Sequence, residues 1–264
     1  MNISIIIPVY NGSKTIQSLV DEIQINLKSS KFIYEIIFVD DFSIDNSWSK
    51  IESLCKIYPF IKGIKLESNF GQHNATMAGL NYANGEFLII MDDDLQHNPK
   101  YILQILDKLG RGYDLCYCSF LNREHKAWKI CVSFINNLIL SLGTNKPFSI
   151  YASPYRGIKK KIALEMIKNK NNHIYLDVLI LNNNPKLTKI DIFHEKRAEG
   201  VSQYNFFKLF KLWSRMLISI DLNVYNFFIF IIPKFFAFIF LNILKIFSSD
   251  NIQYIIEQKI NFNE

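Results

Sequence analysis

The sequence predicts an α/β fold, a mainly parallel β-sheet with helices on both faces, and three observations lead to this prediction. The first half alternates short apolar segments, rich in β-branched residues, with segments of helical periodicity. The apolar segments are continuous rather than alternating, which is typical of strands that are buried on both faces. With 264 residues, 49% of them hydrophobic, the chain is long enough for one sizeable core and an appendage.

The elements of the first half follow one another in a regular order. The predicted strands are 3–9, 34–39, 61–66, 87–91 and 115–120. The predicted helices are 13–28, with Ser13 as its N-cap, then 46–57, 74–83 and 99–109. The second half adds helices at 127–142 and 159–167 and a strand at 188–194.

Ligands of such sheets bind beyond the carboxyl ends of the strands, and polar residues follow three of these ends. They are Tyr10 and Asn11 after the first strand, Asp40 and Asp41 after the second, and Asp92, Asp93 and Asp94 after the fourth. A binding site explains three polar strand ends at one edge better than chance does.

The last quarter of the chain has the composition of a membrane-associating region. Segment 205–219 is predicted to be a helix with Lys208, Lys211 and Arg215 on one face and mostly aromatic and aliphatic residues elsewhere, which is typical of a helix on a membrane surface. Segment 226–247 is almost wholly apolar but is split at Pro233, and a spanning helix needs about 20 apolar residues. A re-entrant hairpin or an interfacial helix is therefore favoured. A buried or oligomer-facing helix, and with it a homo-oligomer, is the alternative.

We therefore divide the chain into an α/β domain in 1–204, a membrane-associating helical region in 205–247 and a polar tail in 248–264.

Charge and motifs narrow the class of ligand. The net charge of +6 suits anionic partners such as nucleotides or a membrane surface, but it falls short of the dense basic face of a nucleic-acid binder. Neither G-x-G-x-x-G after the first strand nor G-x-x-x-x-G-K-[ST] occurs, so the phosphate cradles of dinucleotide-binding and P-loop proteins are missing. The diphosphate of a bound nucleotide would need another counter-charge, which a metal held by carboxylates supplies.

The acidic cluster at the end of the fourth predicted strand is suited to hold that metal. Along an extended segment, residues i and i+2 point the same way, so Asp92 and Asp94 face one ion while Asp93 faces elsewhere. Mg²⁺ and Mn²⁺ take oxygen ligands, typically one or two carboxylates together with substrate phosphates, and Gln96 adds a neutral oxygen nearby. The alternative is a solvated acidic turn that caps the following helix.

Four stretches together resemble the inverting family 2 glycosyltransferases of the GT-A fold, in particular the branch of dolichyl-phosphate mannose synthase and bacterial polyprenyl-phosphate sugar transferases. The stretches are IIIPVYNG (5–12), IIFVDDFSIDNSW (36–48), ESNFGQHNATMAGLNYANGEFLIIMDDDLQHNP (67–99) and KRAEGVSQYNFFKLFKLW (196–213). One departure is Gly12, which stands where many relatives carry Glu.

The resemblance implies roles for individual residues. Those matching Pro8, Tyr10 and Asp40, with the adjacent Val9 and Asp41, belong to the nucleotide pocket, and those matching Asp92, Asp94 and Gln96 hold Mg²⁺ or Mn²⁺. From the residues themselves, the polar loop containing Gln72 suits phosphate or ribose contacts, and Asp93 suits the sugar or ribose of the donor. Arg123 and Lys129 are expected to contact an acceptor phosphate, and Arg197 is expected to clamp a phosphate. Ser202 belongs to the segment that leads to the membrane.

The sequence leaves two classes of sugar acceptor open. A polyprenyl phosphate is largely ionised at neutral pH and needs cations rather than a protein base. A sugar hydroxyl of a polysaccharide or lipid-linked oligosaccharide needs a carboxylate base, for which Asp177 is the best placed. The first class favours a transferase at the cytoplasmic face of the inner bacterial membrane, in cell-surface glycan synthesis. A nucleotidyltransferase and a non-catalytic membrane scaffold are the less favoured alternatives.

Overall fold

A computed structural model describes residues 2–121, 127–168, 175–193 and 254–262, without the side chains of 127–132 and 135. The strands are β1 (Asn2–Val9), β2 (Ile33–Asp40), β3 (Ile61–Leu66), β4 (Phe87–Ile90), β5 (Leu115–Leu121), β6 (Arg156–Lys159), β7 (Leu187–Phe193) and β8 (Ile256–Ile260). The helices are α1 (Ile16–Leu27), α2 (Ser47–Ile57), α3 (Gln72–Asn81), α4 (Ile102–Gly110), α5 (Ala127–Gly143), α6 (Lys160–Lys168) and α7 (Leu176–Leu181), and a 3₁₀ turn at Pro99–Tyr101 precedes α4.

The strands form one eight-stranded sheet in the order β7-β5-β6-β4-β1-β2-β3-β8. Strand β1 lies at its centre and pairs in parallel with both β2 and β4. Helices α1, α2 and α4 pack their apolar faces on one side of the sheet, and α3, α6 and α7 pack on the other. The continuous apolar runs of β1, β2 and β4 are explained by this burial on both faces.

The α/β class with helices on both faces is confirmed, and so is the mainly parallel sheet, since β1, β2, β3, β4, β5 and β7 run in the same direction. Strand β6 runs antiparallel to both β4 and β5, and β8 runs antiparallel to β3. The sequence analysis missed β6, β8 and α7, because elements of four to six residues carry too few periodic positions to be told from loops.

Two predicted helix starts are wrong by a few residues. Helix α1 begins at Ile16, so its N-cap position is Thr15 and not Ser13, whose backbone N–H donates to Asp45 Oδ2 (3.1 Å) in a neighbouring loop. Helix α3 begins at Gln72, two residues earlier than expected, after Gly71 with a φ of +86°. Glycine adopts this left-handed conformation without the steric cost of a side chain.

The segment expected to be a polar tail, 248–264, contains an edge strand instead. Strand β8 covers the edge of β3, and Tyr254 and Phe262 on either side of it pack against the core. The Phe262 ring lies 5.2 Å from that of Tyr82, and the Lys62 ammonium lies 5.0 Å from the Phe262 ring. Strands β7 and β8 thus anchor the two ends of segment 194–253 at opposite edges of the same sheet.

Among the ranges that the structure describes, none of the helices combines the length and the apolar character that crossing a membrane requires. The predicted helix 205–219 and the apolar run 226–247 lie outside the described residues.

Gly85 is a position where the sheet leaves no room for a side chain. A Cβ there would lie 2.4 Å from the backbone nitrogen of Ser4. We expect Gly85→Ala to lower the free energy of unfolding by roughly 2 kcal/mol, in the range of overpacked cores, as measured by urea denaturation. Gly110→Ala is the control, because nothing lies within 4 Å of its Cβ position, and equal stability of the two variants would contradict the prediction.

Candidate active site

The carboxyl ends of β1, β2 and β4 meet at one edge of the sheet, and each is followed by a turn with unusual backbone geometry. Asn11, Phe42 and Leu95 adopt φ angles of 59°, 62° and 62°, in the left-handed region that non-glycine residues rarely occupy. Such conformations cost free energy and persist where surrounding contacts impose them, which is often at functional sites. All three predicted polar strand ends are therefore brought together, in turns of defined shape.

Hydrogen bonds between the turns after β1 and β2 hold these two loops together. The Asn11 backbone N–H donates to Ser43 Oγ (2.9 Å), and Asn11 Oδ1 accepts from the Ile44 N–H (2.9 Å). The Gly12 N–H donates to Ser47 Oγ (2.9 Å) at the start of α2. The loops thus form one wall, which positions Tyr10 and Asp40.

Asp40 is fully buried at the end of β2, and its two carboxylate oxygens differ. Oδ2 accepts from the Ser43 backbone N–H (3.2 Å), whereas Oδ1 has no hydrogen-bond partner among the described residues. Burial raises the pKa of this carboxyl above its ordinary value. A buried acceptor of this kind suits an N–H group of a ligand, in agreement with the role expected for Asp40 in a base pocket.

Asp41 anchors the loop that precedes α3. Its Oδ1 accepts from the Phe70 N–H (2.8 Å) and its Oδ2 from the Gly71 N–H (2.8 Å). Burial, which these two bonds oppose and the neighbouring Asp40 reinforces, raises the pKa of Asp41 to about 6. The direct substrate contact expected for Asp41 stays a prediction, while its contacts assign it to holding this loop.

The three residues expected at the base pocket from β1 are not equally accessible. Pro8 and Val9 are buried, and the Val9 carbonyl accepts from the Asp41 N–H (2.8 Å). Tyr10 is 37% exposed at the strand end. Of these three side chains, the Tyr10 ring is the one available for stacking on a base.

The acidic cluster lies directly beyond β4, with each carboxylate in a different environment. Asp92 Oδ1 accepts from Gln72 Nε2 (2.5 Å) at the start of α3, so the structure joins two residues that we expected at the donor. Asp94 Oδ1 accepts from the Gln96 backbone N–H (3.1 Å), which closes the turn around Leu95.

His97 is hydrogen-bonded to this turn and was not predicted from the sequence to be part of the site. It is buried, its Nδ1 accepts from the Asp92 backbone N–H (2.9 Å), and its ring stacks on Tyr155 with 5.0 Å between ring centroids. A histidine five residues after Asp92 carries no metal-ligand spacing, so only its place in the DDDLQHNP stretch pointed to it.

Asp93 turns away from its neighbours toward the loop after β1. A Cβ at Gly12 would lie 1.9 Å from Asp93 Oδ2. Any side chain at position 12 would therefore meet the Asp93 carboxylate, and the glycine leaves room for it.

The residues at the end of β4 fit a divalent cation. Asp92 and Asp94 are partly exposed and offer two hard carboxylate ligands, and Mg²⁺ or Mn²⁺ bound to a nucleotide takes further oxygens from phosphates and water. Within the described ranges, no group of three or more His, Cys, Asp or Glu side chains has metal-binding geometry. The metal role of Asp92, Asp94 and Gln96 stays a prediction.

A cavity of about 260 Å³ opens beside Asp92 and Gln72 and ends at a buried ion pair. Arg156, 3% exposed, donates through one terminal nitrogen to Oδ1 of Asp177, which is 7% exposed. Tyr117 donates its hydroxyl to the same oxygen (2.7 Å).

The surroundings of the ion pair shift the pKa values of Arg156 and Tyr117. Burial disfavours a charge on Arg156, but Asp177 and Tyr117 offset it and raise its pKa above the ordinary value. Burial, followed by the charge of Asp177, raises the pKa of the Tyr117 hydroxyl well above its usual range. Tyr117 therefore stays a neutral hydrogen-bond donor.

Four predicted site residues are not placed by the structure. Arg123, Arg197 and Ser202 lie outside the described residues, and Lys129 falls within α5 at a position whose side chain is not described. Their roles toward an acceptor stay predictions.

Comparison with known proteins agrees with this architecture. The model of the family "Glycosyl transferase family 2" matches residues 4–166. The undecaprenyl-phosphate 4-deoxy-4-formamido-L-arabinose transferase of Proteus mirabilis is 30% identical over 216 residues, which are 81% of this chain and 66% of that protein, just under two thirds of its length.

Two solved structures share the fold. Glucosyl-3-phosphoglycerate synthase from Mycobacterium tuberculosis, in complex with Mn²⁺, UDP-glucose and phosphoglyceric acid, has a TM-score of 0.58 at 14% identity and covers 83% of this chain and 79% of its own. S. aureus TarS 1–349, in complex with UDP-GlcNAc, has a TM-score of 0.50 at 19% identity, with 84% and 68% covered.

The sheet and the helices on its two faces are thus those of the glycosyltransferase fold that these two structures share. The chain belongs to glycosyl transferase family 2.

The Arg156–Asp177 pair leads to a stability prediction. Asp177→Asn leaves the guanidinium charge buried without a counter-charge, so we expect the free energy of unfolding to fall by about 3 kcal/mol in urea denaturation. Asp191→Asn, at the exposed pair with Lys189, is the control and should change it by less than about 1 kcal/mol.

The double variant Arg156→Met, Asp177→Asn should recover part of the loss, because it leaves no uncompensated charge. A double variant less stable than Asp177→Asn alone would contradict this account.

Proposed function

We propose that this protein is a metal-dependent inverting glycosyltransferase that moves a sugar from a nucleotide-sugar donor to polyprenyl phosphate at a membrane surface, in bacterial cell-surface glycan synthesis. The observation that carries the proposal is the placement of Asp92 and Asp94 at the end of β4, between the wall that holds Asp40 and the cavity that ends at Arg156.

The donor half of the site follows from this placement. Tyr10 offers a ring face and Asp40 an unpaired acceptor to a base on the side of β1 and β2. A diphosphate then falls beside Asp92 and Asp94, where a bound Mg²⁺ or Mn²⁺ would neutralise the charge of the departing diphosphate. Gln72 orients the Asp92 carboxylate, and His97 holds its backbone.

The acceptor half is supported by the state of Asp177. A hydroxyl acceptor would need this carboxylate as a base, but its Oδ1 already accepts from both Arg156 and Tyr117. A phosphate acceptor is ionised at neutral pH, with a second pKa of about 6, and needs no base. The similarity to undecaprenyl-phosphate 4-deoxy-4-formamido-L-arabinose transferases supports the same acceptor class.

The anchoring of β7 and β8 supports a peripheral or re-entrant association with the membrane. Both ends of segment 194–253 belong to one sheet, so a chain that enters the bilayer from there must return to the same side. Two crossings need about 40 apolar residues, and the split run 226–247 is too short for them. With the basic helix predicted at 205–219, this favours a shallow hairpin or an interfacial helix on the cytoplasmic face of the inner membrane.

A donor screen tests the proposed reaction. Purified protein with Mg²⁺ or Mn²⁺ and undecaprenyl phosphate is given radiolabelled nucleotide sugars, and lipid and aqueous fractions are counted separately. We expect label in the lipid fraction, loss of transfer by roughly a hundredfold or more in Asp92→Asn and Asp94→Asn, and little change in the control Asp107→Asn, whose carboxylate pairs with Arg111 on the surface. Label confined to aqueous oligosaccharide would refute the lipid-phosphate acceptor.

The membrane association is tested by flotation with vesicles. Replacing Lys208, Lys211 and Arg215 together by Gln should weaken binding to vesicles containing anionic lipid, by about 1 kcal/mol for each charge near the surface. Replacing Lys159, Lys160 and Lys161 by Gln is the charge-matched control, because these residues lie near the start of α6 in the α/β domain. Equal loss of flotation in both variants would show a non-specific charge effect and would contradict the assignment of membrane binding to segment 205–219.

A further inference from the structure

Asp41 lies where the end of β2 meets the loop before α3. It follows Asp40, is 3% exposed, and donates its backbone N–H to the Val9 carbonyl (2.8 Å). Its side chain crosses to the other segment, since Oδ1 accepts from the Phe70 N–H and Oδ2 from the Gly71 N–H, both at 2.8 Å. Both carboxylate oxygens are therefore used to hold the end of that loop.

The loop that Asp41 holds sets the start of α3. Gly71 is the N-cap residue, with a φ of +86°, and its carbonyl accepts from the Asn74 N–H (3.0 Å). Gln72 is the first residue of the helix, and its Nε2 donates to Asp92 Oδ1 (2.5 Å). A chain of contacts thus runs from Asp41 through Gly71 and Gln72 to the acidic cluster at the end of β4.

The contact with two N–H groups is complete only when the carboxyl of Asp41 is ionised. A carboxylate offers an acceptor oxygen to each donor, and hydrogen bonds to an ionised acceptor are about twice as strong as neutral ones. A protonated carboxyl turns one of its oxygens into a hydroxyl donor, and the side-chain nitrogen of an asparagine accepts no hydrogen bond. Protonation of Asp41 and the replacement Asp41→Asn therefore weaken the same contact.

Asp41 changes its charge within a pH range that experiments can reach. Burial, which the two N–H donors oppose and the charge of Asp40 reinforces, raises the pKa of Asp41 to about 6, and no cation among the described residues offsets this rise. The titratable residues on the surrounding elements are Tyr10 after β1, Asp40 on β2, Lys65 on β3, Glu67 in the loop and His73 in α3. Asp41 is thus ionised at neutral pH and takes up a proton as the pH falls through about 6.

We infer that Asp41 is a positioning residue for the proposed metal site, which it reaches through the loop before α3 and the side chain of Gln72. The inference rests on the proposed function and deepens it, since it assigns Asp41 a role beside that of a nucleotide contact. Asp41 holds Gln72 against Asp92 in its ionised form, so metal-dependent binding of a nucleotide weakens as Asp41 is protonated.

The test compares UDP binding by the wild-type protein and by Asp41→Asn at two pH values. Calorimetry with Mn²⁺ measures the dissociation constant of UDP at about pH 7.5 and at about pH 5. We expect Asp41→Asn to raise it roughly 3- to 10-fold at the higher pH, the effect of one hydrogen bond. At the lower pH the wild-type carboxyl is itself mostly protonated, so the ratio of the two constants should approach one. Titration of the UDP phosphates affects both proteins and cancels in this ratio.

Asp45→Asn is the matched control, because Asp45 also accepts from two backbone N–H groups, those of Ser13 (3.1 Å) and Ser47 (3.0 Å). Burial, which would raise the pKa of Asp45, is outweighed by its hydrogen bonds, so the pKa lies below the ordinary value and Asp45 stays ionised at about pH 5. The ratio of its dissociation constant to that of the wild type should therefore be equal at both pH values. An equally constant ratio for Asp41→Asn would show a role that does not depend on charge and would overturn the inference.

A double variant tests the route through Gln72. Gln72→Ala removes the contact with Asp92, so adding Asp41→Asn to it should raise the dissociation constant by less than about twofold at about pH 7.5. If the two separate effects multiply in full, the residues act independently and the route is wrong.

Hydrogen exchange without nucleotide separates the inference from the proposed function. In the wild-type protein, exchange of the Phe70 and Gly71 N–H groups, corrected for the intrinsic effect of pH, should become faster as the pH falls from about 7.5 to about 5. In Asp41→Asn it should be equally fast at both pH values. Exchange that responds neither to pH nor to the substitution would overturn the inference even if UDP binds with Mn²⁺. If the wild-type protein shows the pH response but fails to bind UDP with Mn²⁺, the proposed function is wrong, and with it the role of Asp41 toward a metal.

Discussion

The parallel pairing of β1 with β2 and β4 is the constraint on which the site depends. Residues more than 80 positions apart, such as Tyr10 and Asp92, lie at the same edge of the sheet because Ile6 is aligned with both Ile37 and Ile90. The pairing is held by isoleucine-rich strands buried on both faces, where a one-residue slip would place the wrong side chains against each helix layer. The strand ends are therefore fixed relative to one another, and so are the positions of the polar turns that follow them.

The antiparallel strand β6 divides the site into two chemically different halves. It places Arg156 opposite Ile90, directly beside the acidic cluster, and the buried pair with Asp177 then neutralises that charge. On one side of the cluster are Asp40 and Tyr10, and on the other is a cavity that Asp92, Arg156 and Asp177 line.

The strand β8 returns the end of the chain to the sheet. Because β7 and β8 occupy opposite edges of one sheet, the 194–253 segment begins and ends on the catalytic domain. Strand β8 also covers the β3 edge, which would otherwise present unpaired backbone groups to other chains.

The sequence by itself determined the α/β class, the order of the longer elements and the identity of the acidic cluster, because these depend on local periodicity and on adjacent residues. It also brought Asp40, Asp92 and Gln72 into one predicted site. Only the tertiary structure decided that Asp177 pairs with Arg156 and Tyr117, that His97 supports Asp92, and that Ser153 lines a cavity. These contacts join residues from different elements, so they depend on long-range packing. The elements β6, α7 and β8 are also too short to show a recognisable periodic pattern in the sequence.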